Sequence, residues 1–102
     1  MNDLLKIDKT NTDGTLTVSI SGRIDTANAP ALENEINSSI GDASELILDF
    51  ARVDYISSAG LRVLLTSYKA MSKKNGMRIR NVGPEIMEIF EVTGFSDILT
   101  IE

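Results

Sequence analysis

The chain has 102 residues, a formal net charge of −5 and neither cysteine nor histidine. The missing cysteine excludes disulfides, thiol nucleophiles and thiolate metal sites, and the missing histidine removes the commonest general base and metal ligand. The acidic balance disfavours nucleic acid as a partner, because phosphate backbones attract basic surfaces. Length and composition predict one domain over residues 1–102, with an ordinary hydrophobic core and no cofactor.

Targeting signals are missing from the sequence as well. No apolar run reaches the length of about 18 residues that a transmembrane helix needs. The N-terminus lacks the basic start and apolar core of a signal peptide. We therefore expect a cytoplasmic protein without membrane insertion.

The first part of the chain predicts a hairpin followed by a helix. Residues 5–9 and 16–21 alternate apolar and polar side chains and flank the Asp-Gly pair at 13–14, which is a strong hairpin signal. Gly22 is expected to end the second strand. A helix is predicted over about 27–40, with a proline in its first turn and a glycine as its stop.

The middle of the chain predicts a buried strand and a second helix. Residues 45–50 are apolar on both sides of the alternation, which is typical of a strand covered on both faces. Residues 51–54 are predicted to be a connector, and Tyr55-Ile56 to touch the core again. The second helix is predicted over about 58–74, with Lys73-Lys74 as a solvated end.

The last part predicts a strand over 77–82, a short helix opened by Gly-Pro-Glu at 83–85 and a final strand at 99–101. The whole order is ββαβαβαβ. This order predicts an α/β domain whose mixed sheet combines an N-terminal hairpin with parallel crossovers.

Two adjacent serines, Ser57 and Ser58, stand at the junction between the central strand and the second helix. A helix start presents unpaired N–H groups and the positive end of the helix dipole, so a phosphate can be held there. Each serine is therefore a candidate helix cap or a candidate site of modification, and the residue types alone favour a cap.

An enzymatic role finds little support. A nucleophile elbow needs Gly-x-Ser-x-Gly and a base, whereas Ile56 stands where the first glycine would be needed and the chain has no histidine. The phosphate-binding string Gly-x4-Gly-Lys-Ser/Thr is also missing. We therefore expect a binding protein rather than an enzyme.

Five segments, taken in order, resemble the STAS domain family, which includes bacterial anti-sigma factor antagonists. They are GRID at 22–25, LILDF at 46–50, YISSAGL at 55–61, MRI at 77–79 and IFEVTGF at 89–95. The resemblance covers nearly the whole chain and implies the STAS fold.

The resemblance also implies a partner switch. In the family, the unphosphorylated domain binds an anti-sigma factor, which is a serine kinase of the GHKL type, and so frees a sigma factor. The kinase phosphorylates a serine at the start of the second helix, which breaks the complex, and a metal-dependent serine phosphatase reverses the modification. The chain would thus be a substrate and a binder.

The family pattern at the acceptor is Asp-Ser-Ser/Thr/Ala-Gly-Leu. Gly60 and Leu61 set the register, which implies Ser58 as the phosphoacceptor. Ser57 stands where the family usually has Asp, so Ser57 is the alternative acceptor. This departure also motivates the alternative that the chain is a STAS scaffold or a transport-system subunit that no longer switches.

The loop before the first helix is the second part of the implied site. Asp25 matches a family residue that helps to form the partner surface, and Asn28 is a weaker match. As an alternative, Asp25 is a helix cap. The implied partner-binding set is Asp25, Asn28, Ser57, Ser58, Gly60 and Leu61.

Overall fold

A computed structural model describes residues 5–102 as one five-stranded mixed sheet packed with three helices. The strands lie in the order β1-β2-β3-β4-β5, with β1 and β2 antiparallel and every later pair parallel. The elements are β1 (Lys6–Thr12), β2 (Thr15–Ile24), α1 (Ala29–Ile40), β3 (Glu45–Ile56), α2 (Ser58–Met71), β4 (Met77–Arg80), α3 (Pro84–Thr93), a 3-10 turn (Phe95–Asp97) and β5 (Thr100–Ile101). The predicted fold class and element order are confirmed.

The hairpin turn lies at the predicted Asp-Gly pair. Asp13 has φ 54° and Gly14 has φ 88°, the left-handed conformation that a tight two-residue turn demands of its central residues. The Asn11 side-chain oxygen accepts the N–H of Gly14 at 3.2 Å. This support lets β1 continue to Thr12, three residues beyond the predicted strand.

The predicted ends of β2, β3 and β4 are wrong, and β4 ends at Arg80 rather than at residue 82. β2 passes through Gly22 to end at Ile24, and β3 runs through the predicted connector 51–54 to end at Ile56. The pairing of β2 with β3 shifts register between Ser19 and Ser21 and again after Gly22, and β3 takes an extra residue at each shift while the strands remain paired. Gly22 meets the bend with φ 109°, which other residues rarely adopt.

The helix boundaries also differ slightly from the predictions. α1 begins at Ala29 because residues 25–28 form a turn, and α2 ends at Met71. Lys73 and Lys74 lie beyond that end and are exposed, as predicted, but Lys74 also makes hydrogen bonds. Its ammonium donates to the carbonyl oxygens of Ile40 at 2.6 Å and Ala43 at 2.7 Å.

The two faces of the sheet differ in polarity. On the apolar face, Val18, Leu48 and Ile79 lie side by side in register and are fully buried. On the other face Ile47 is buried as well, but its register neighbours are Thr17 and Arg78. The apolar run of β3 therefore reflects one buried isoleucine among polar neighbours, and the main core lies on the opposite face.

Candidate functional site

The serine pair and the loop that follows β2 lie side by side at one edge of the sheet. Ile24 and Ile56, the last residues of β2 and β3, are register partners. The Ser57 N–H then donates to the Ile24 carbonyl at 2.8 Å. This is the edge at the carboxyl ends of the parallel strands, where open α/β sheets commonly place their sites.

Ser57 caps α2. It has an extended backbone, with φ −88° and ψ 173°, and its side-chain oxygen accepts the N–H of Gly60 at 3.2 Å. Its carbonyl accepts the N–H of Leu61 at 2.9 Å, which closes the first helical turn. Ser57 is also buried, with 9% of its surface exposed, so its hydroxyl serves the helix.

Ser58 is the first residue of α2 and is exposed. Within residues 5–102, no hydrogen bond engages its hydroxyl. The first turn of α2 contains no acidic residue, so the positive end of the dipole has no neutralising carboxylate in that turn. The hydroxyl is open to another protein, and the helix start favours a negative charge there.

Gly60 and Leu61 have packing roles. A Cβ on Gly60 would lie 2.6 Å from Ile24 Cγ2 and 2.8 Å from Ile56 Cγ1, so no side chain fits. Leu61 is only 8% exposed and belongs to the core. Both residues seat the start of α2 against the ends of β2 and β3, and thereby position Ser58.

Asp25 and Asn28 hold each other across the loop that leads into α1. The Asp25 carboxylate accepts the N–H of Asn28 at 3.0 Å, and the Asn28 side-chain oxygen accepts the N–H of Asp25 at 2.8 Å. The Asn28 amide also donates to the Arg23 carbonyl at 2.8 Å. Both side chains are half-buried, so they shape the loop beside Ser58 and still reach its surface.

Tyr55 does not return to the core as predicted. It is 39% exposed, whereas Ile56 is buried as expected. Tyr55 pairs in register with Arg23, whose guanidinium lies 4.3 Å from the centre of the tyrosine ring. The prediction of a connector over residues 51–54 misses the strand alternation that places Tyr55 and Ile56 on opposite faces.

The described residues carry few other candidate sites. Within residues 5–102, no helix is both long and apolar enough to span a membrane. In that same part of the chain, no group of three acidic residues is arranged to hold a metal ion. The α2 start and its neighbouring loop therefore remain the main candidate.

A family model described as the STAS domain matches residues 6–102 of this chain. The chain belongs to the STAS domain family. This STAS domain is 34% identical over 99 residues to BtrV of Bordetella bronchiseptica, a candidate anti-sigma factor antagonist; the match covers 95% of this chain and 85% of that protein.

Solved structures agree with the family assignment. An anti-sigma factor antagonist from Mycobacterium paratuberculosis matches with a TM-score of 0.87 and 30% identity, covering 95% of this chain and 84% of that one. The Bacillus cell fate determinant SpoIIAA in its phosphorylated form matches with a TM-score of 0.72, covering 96% and 90%. At 18% identity, the second likeness shows the fold alone.

Proposed function

We propose that residues 1–102 act as one STAS domain that antagonises an anti-sigma factor in the cytoplasm. In its unmodified form it binds the anti-sigma factor, a serine kinase of the GHKL type, and so releases a sigma factor. Phosphorylation of Ser58 breaks this complex, and a metal-dependent serine phosphatase restores binding. The chain is then a substrate and a regulator and performs no catalysis.

The observation that carries the proposal is the division of roles between the two serines. The Ser57 hydroxyl is buried and accepts the Gly60 N–H, whereas the Ser58 hydroxyl is exposed and makes no hydrogen bond within residues 5–102. A kinase can therefore reach Ser58 without undoing the cap of α2. This supports Ser58 as the acceptor and makes Ser57 the less accessible alternative.

In the transfer itself, Ser58 Oγ attacks the γ-phosphorus of ATP bound to the kinase. The new bond joins Oγ to phosphorus, the bond from that phosphorus to the β–γ bridging oxygen breaks, and ADP leaves. The hydroxyl proton passes to a base on the kinase or to solvent. In the phosphatase reaction, a water oxygen attacks the phosphorus, the bond from that phosphorus to Ser58 Oγ breaks, Oγ takes up a proton, and inorganic phosphate leaves.

The charge explains how one group can end a complex. A phosphoserine carries about −1.5 to −2 charges at neutral pH. The start of α2 accommodates this charge through its dipole, so the fold survives. A partner that covers the unmodified hydroxyl would have to bury the added charge, which is costly. Asp25 and Asn28, in the adjacent loop, complete the proposed partner surface.

The first experiment is tandem mass spectrometry on the protein purified from its own organism under several growth conditions. We expect phosphate on Ser58. Phosphate on Ser57 instead would contradict the assignment of the acceptor. If no condition yields phosphate on either serine, the domain acts as a non-switching scaffold or transport-system subunit.

The second experiment measures binding to the GHKL-type anti-sigma factors encoded in the same genome, by titration calorimetry. We expect Ser58→Asp to abolish binding, and Ser58→Ala to bind and to resist phosphorylation. Ser57→Ala is the control, because it should still accept phosphate on Ser58. If Ser58→Asp binds as tightly as the wild type, phosphorylation does not control binding.

A further inference from the structure

A groove separates α1 from α2 directly beside the acceptor serine. Its volume is about 260 Å³, and buried Ala29 and Val63 together with half-buried Ala59 line it. Glu33 on α1 and Arg62 on α2 also line it and supply its charges. Thr26 and Pro30 complete the lining of this feature, which we call the α1–α2 groove.

The Arg62 side chain is exposed to solvent. Within residues 5–102, it takes part in no ion pair and no side-chain hydrogen bond, and neither does Glu33. A guanidinium presents a planar fork of donors that matches a carboxylate or a phosphate. The groove therefore offers an apolar slot with an available anion-binding group beside it.

The spacing along α2 links Arg62 to the acceptor. Ser58 and Arg62 are four residues apart, so their side chains lie on the same face of the helix, one turn apart. A negative group at the N-terminal position and a cation four residues later is the favourable orientation for such a pair. A phosphate on Ser58 is thus placed to pair with Arg62.

We propose that the α1–α2 groove receives an apolar side chain of the anti-sigma factor, that a carboxylate of this partner pairs with Arg62, and that phosphate on Ser58 takes Arg62 away from that carboxylate. The inference rests on the proposed function and names the residue that reads the modification. Phosphorylation then acts twice, by adding charge at Ser58 and by occupying the cation that the partner needs.

Continuity and charge support this occupant. Ala59 follows the acceptor directly and lines the groove, so a protein that covers Ser58 also covers this end of the groove. Arg62, which makes no ion pair within residues 5–102, favours an acidic group, and buried Ala29 and Val63 favour an apolar one. A second copy of this chain is the competing occupant.

The phosphate half of the proposal can be tested without the partner. Phosphoserine is incorporated at position 58 during translation, and ³¹P NMR follows the second ionisation of the phosphate with pH. We expect this ionisation at a lower pH in the otherwise wild-type protein than in Arg62→Gln. Arg52→Gln is the control, because Arg52 is an exposed arginine on β3. Equal titration of the wild type and Arg62→Gln would overturn the pairing.

The partner half is tested with the anti-sigma factor that the unmodified wild type binds. We expect Arg62→Glu to raise Kd about tenfold or more, since it places like charges together, while Arg52→Glu stays within about twofold. Equal Kd values for Arg62→Glu and the wild type would overturn the groove. Failure of the wild type to bind any anti-sigma factor would instead overturn the proposed function.

Sedimentation velocity distinguishes the competing occupant. We expect the wild type and Arg62→Glu to sediment alike as monomers. A wild-type dimer that Arg62→Glu dissociates would assign the groove to a second copy and overturn the inference. Thermal unfolding of each variant confirms that the exposed substitution leaves the fold intact.

Discussion

The two edges of the sheet use their polar side chains differently. At the edge where β3 begins, the Lys74 ammonium donates to three carbonyls at and just after the end of α1, those of Ile40, Gly41 and Ala43. At the edge where β3 ends, the Ser58 hydroxyl stands exposed and makes no hydrogen bond within residues 5–102. The Lys74 side chain thus supports the backbone at one edge, whereas the Ser58 hydroxyl at the other edge is exposed to solvent.

This difference shows where a side chain can be modified without destabilising the fold. A side chain that satisfies buried or terminal backbone groups cannot be modified without leaving them unpaired. At the β3 end, Ser57 performs that duty for α2, which frees its neighbour Ser58. Modification at Ser58 should therefore change what the surface binds while the domain remains folded.

The largest effect on folding is expected at Gly60, which packs the start of α2 against the ends of β2 and β3. Gly60→Ala should lower the free energy of unfolding by about 1–3 kcal/mol, since its Cβ would overlap Ile24 and Ile56. Gly41→Ala is the control, because no atom lies within 4 Å of its Cβ position and its φ is −58°. Urea denaturation measures both variants. Equal stability of Gly60→Ala and Gly41→Ala would show that the start of α2 is not tightly packed against Ile24 and Ile56.

Lys74→Met tests the opposite edge by removing the ammonium and keeping most of the aliphatic chain. We expect a loss of about 1 kcal/mol, because three carbonyls at and just after the end of α1 lose a charged donor at an exposed position. Lys73→Met should change stability by less than about 0.5 kcal/mol. If both variants unfold at the same urea concentration, the bonds of Lys74 do not stabilise the domain.

Substitutions of Ser57 and Ser58 test whether only Ser57 stabilises the start of α2. Ser57→Ala should cost about 1 kcal/mol, as loss of an N-cap usually does, because the Gly60 N–H loses its acceptor. Ser58→Ala should leave the unfolding midpoint nearly unchanged. A stability loss at Ser58 equal to that at Ser57 would contradict the division of roles between them.

The smallest effect is expected on the polar face, away from both edges. Burial would raise the pKa of the Asp49 carboxyl, but hydrogen bonds from the Ala51 N–H and Asn81 and the charge of Arg80 outweigh it and hold that pKa below 3.8. The ionised carboxylate therefore contributes stability above that pH, which is lost as the pH falls through the lowered pKa.

Asp49→Asn should remove this contribution, so its free energy of unfolding should fall less steeply than that of the wild type between pH 5 and 2. Chemical denaturation at several pH values measures the slopes. Asp8→Asn, on the edge strand β1, serves as the control. Parallel curves for the wild type and Asp49→Asn would contradict the role given to this carboxylate.

Local sequence patterns were sufficient for the element order, the hairpin and the family. Alternation, the Asp-Gly turn and helical spacing depend on residues close in the chain, and each predicted element appears in the structure. Family membership rests likewise on short motifs in a fixed order, and the match over residues 6–102 confirms it. The acceptor assignment to Ser58 and the partner residues remain predictions.

Pairing between distant residues decided what the local patterns missed. Both serines are good caps by residue type, but the bond from the Ser57 N–H to the Ile24 carbonyl ties Ser57 to the end of β2, where Ser57 is buried and caps α2. β2 and β3 remain paired as far as Ile24 and Ile56 because β3 takes an extra residue at each of the two register shifts. Arg62 faces a groove that α1 completes. Such features depend on two segments meeting in space, so they arise only when the tertiary structure forms.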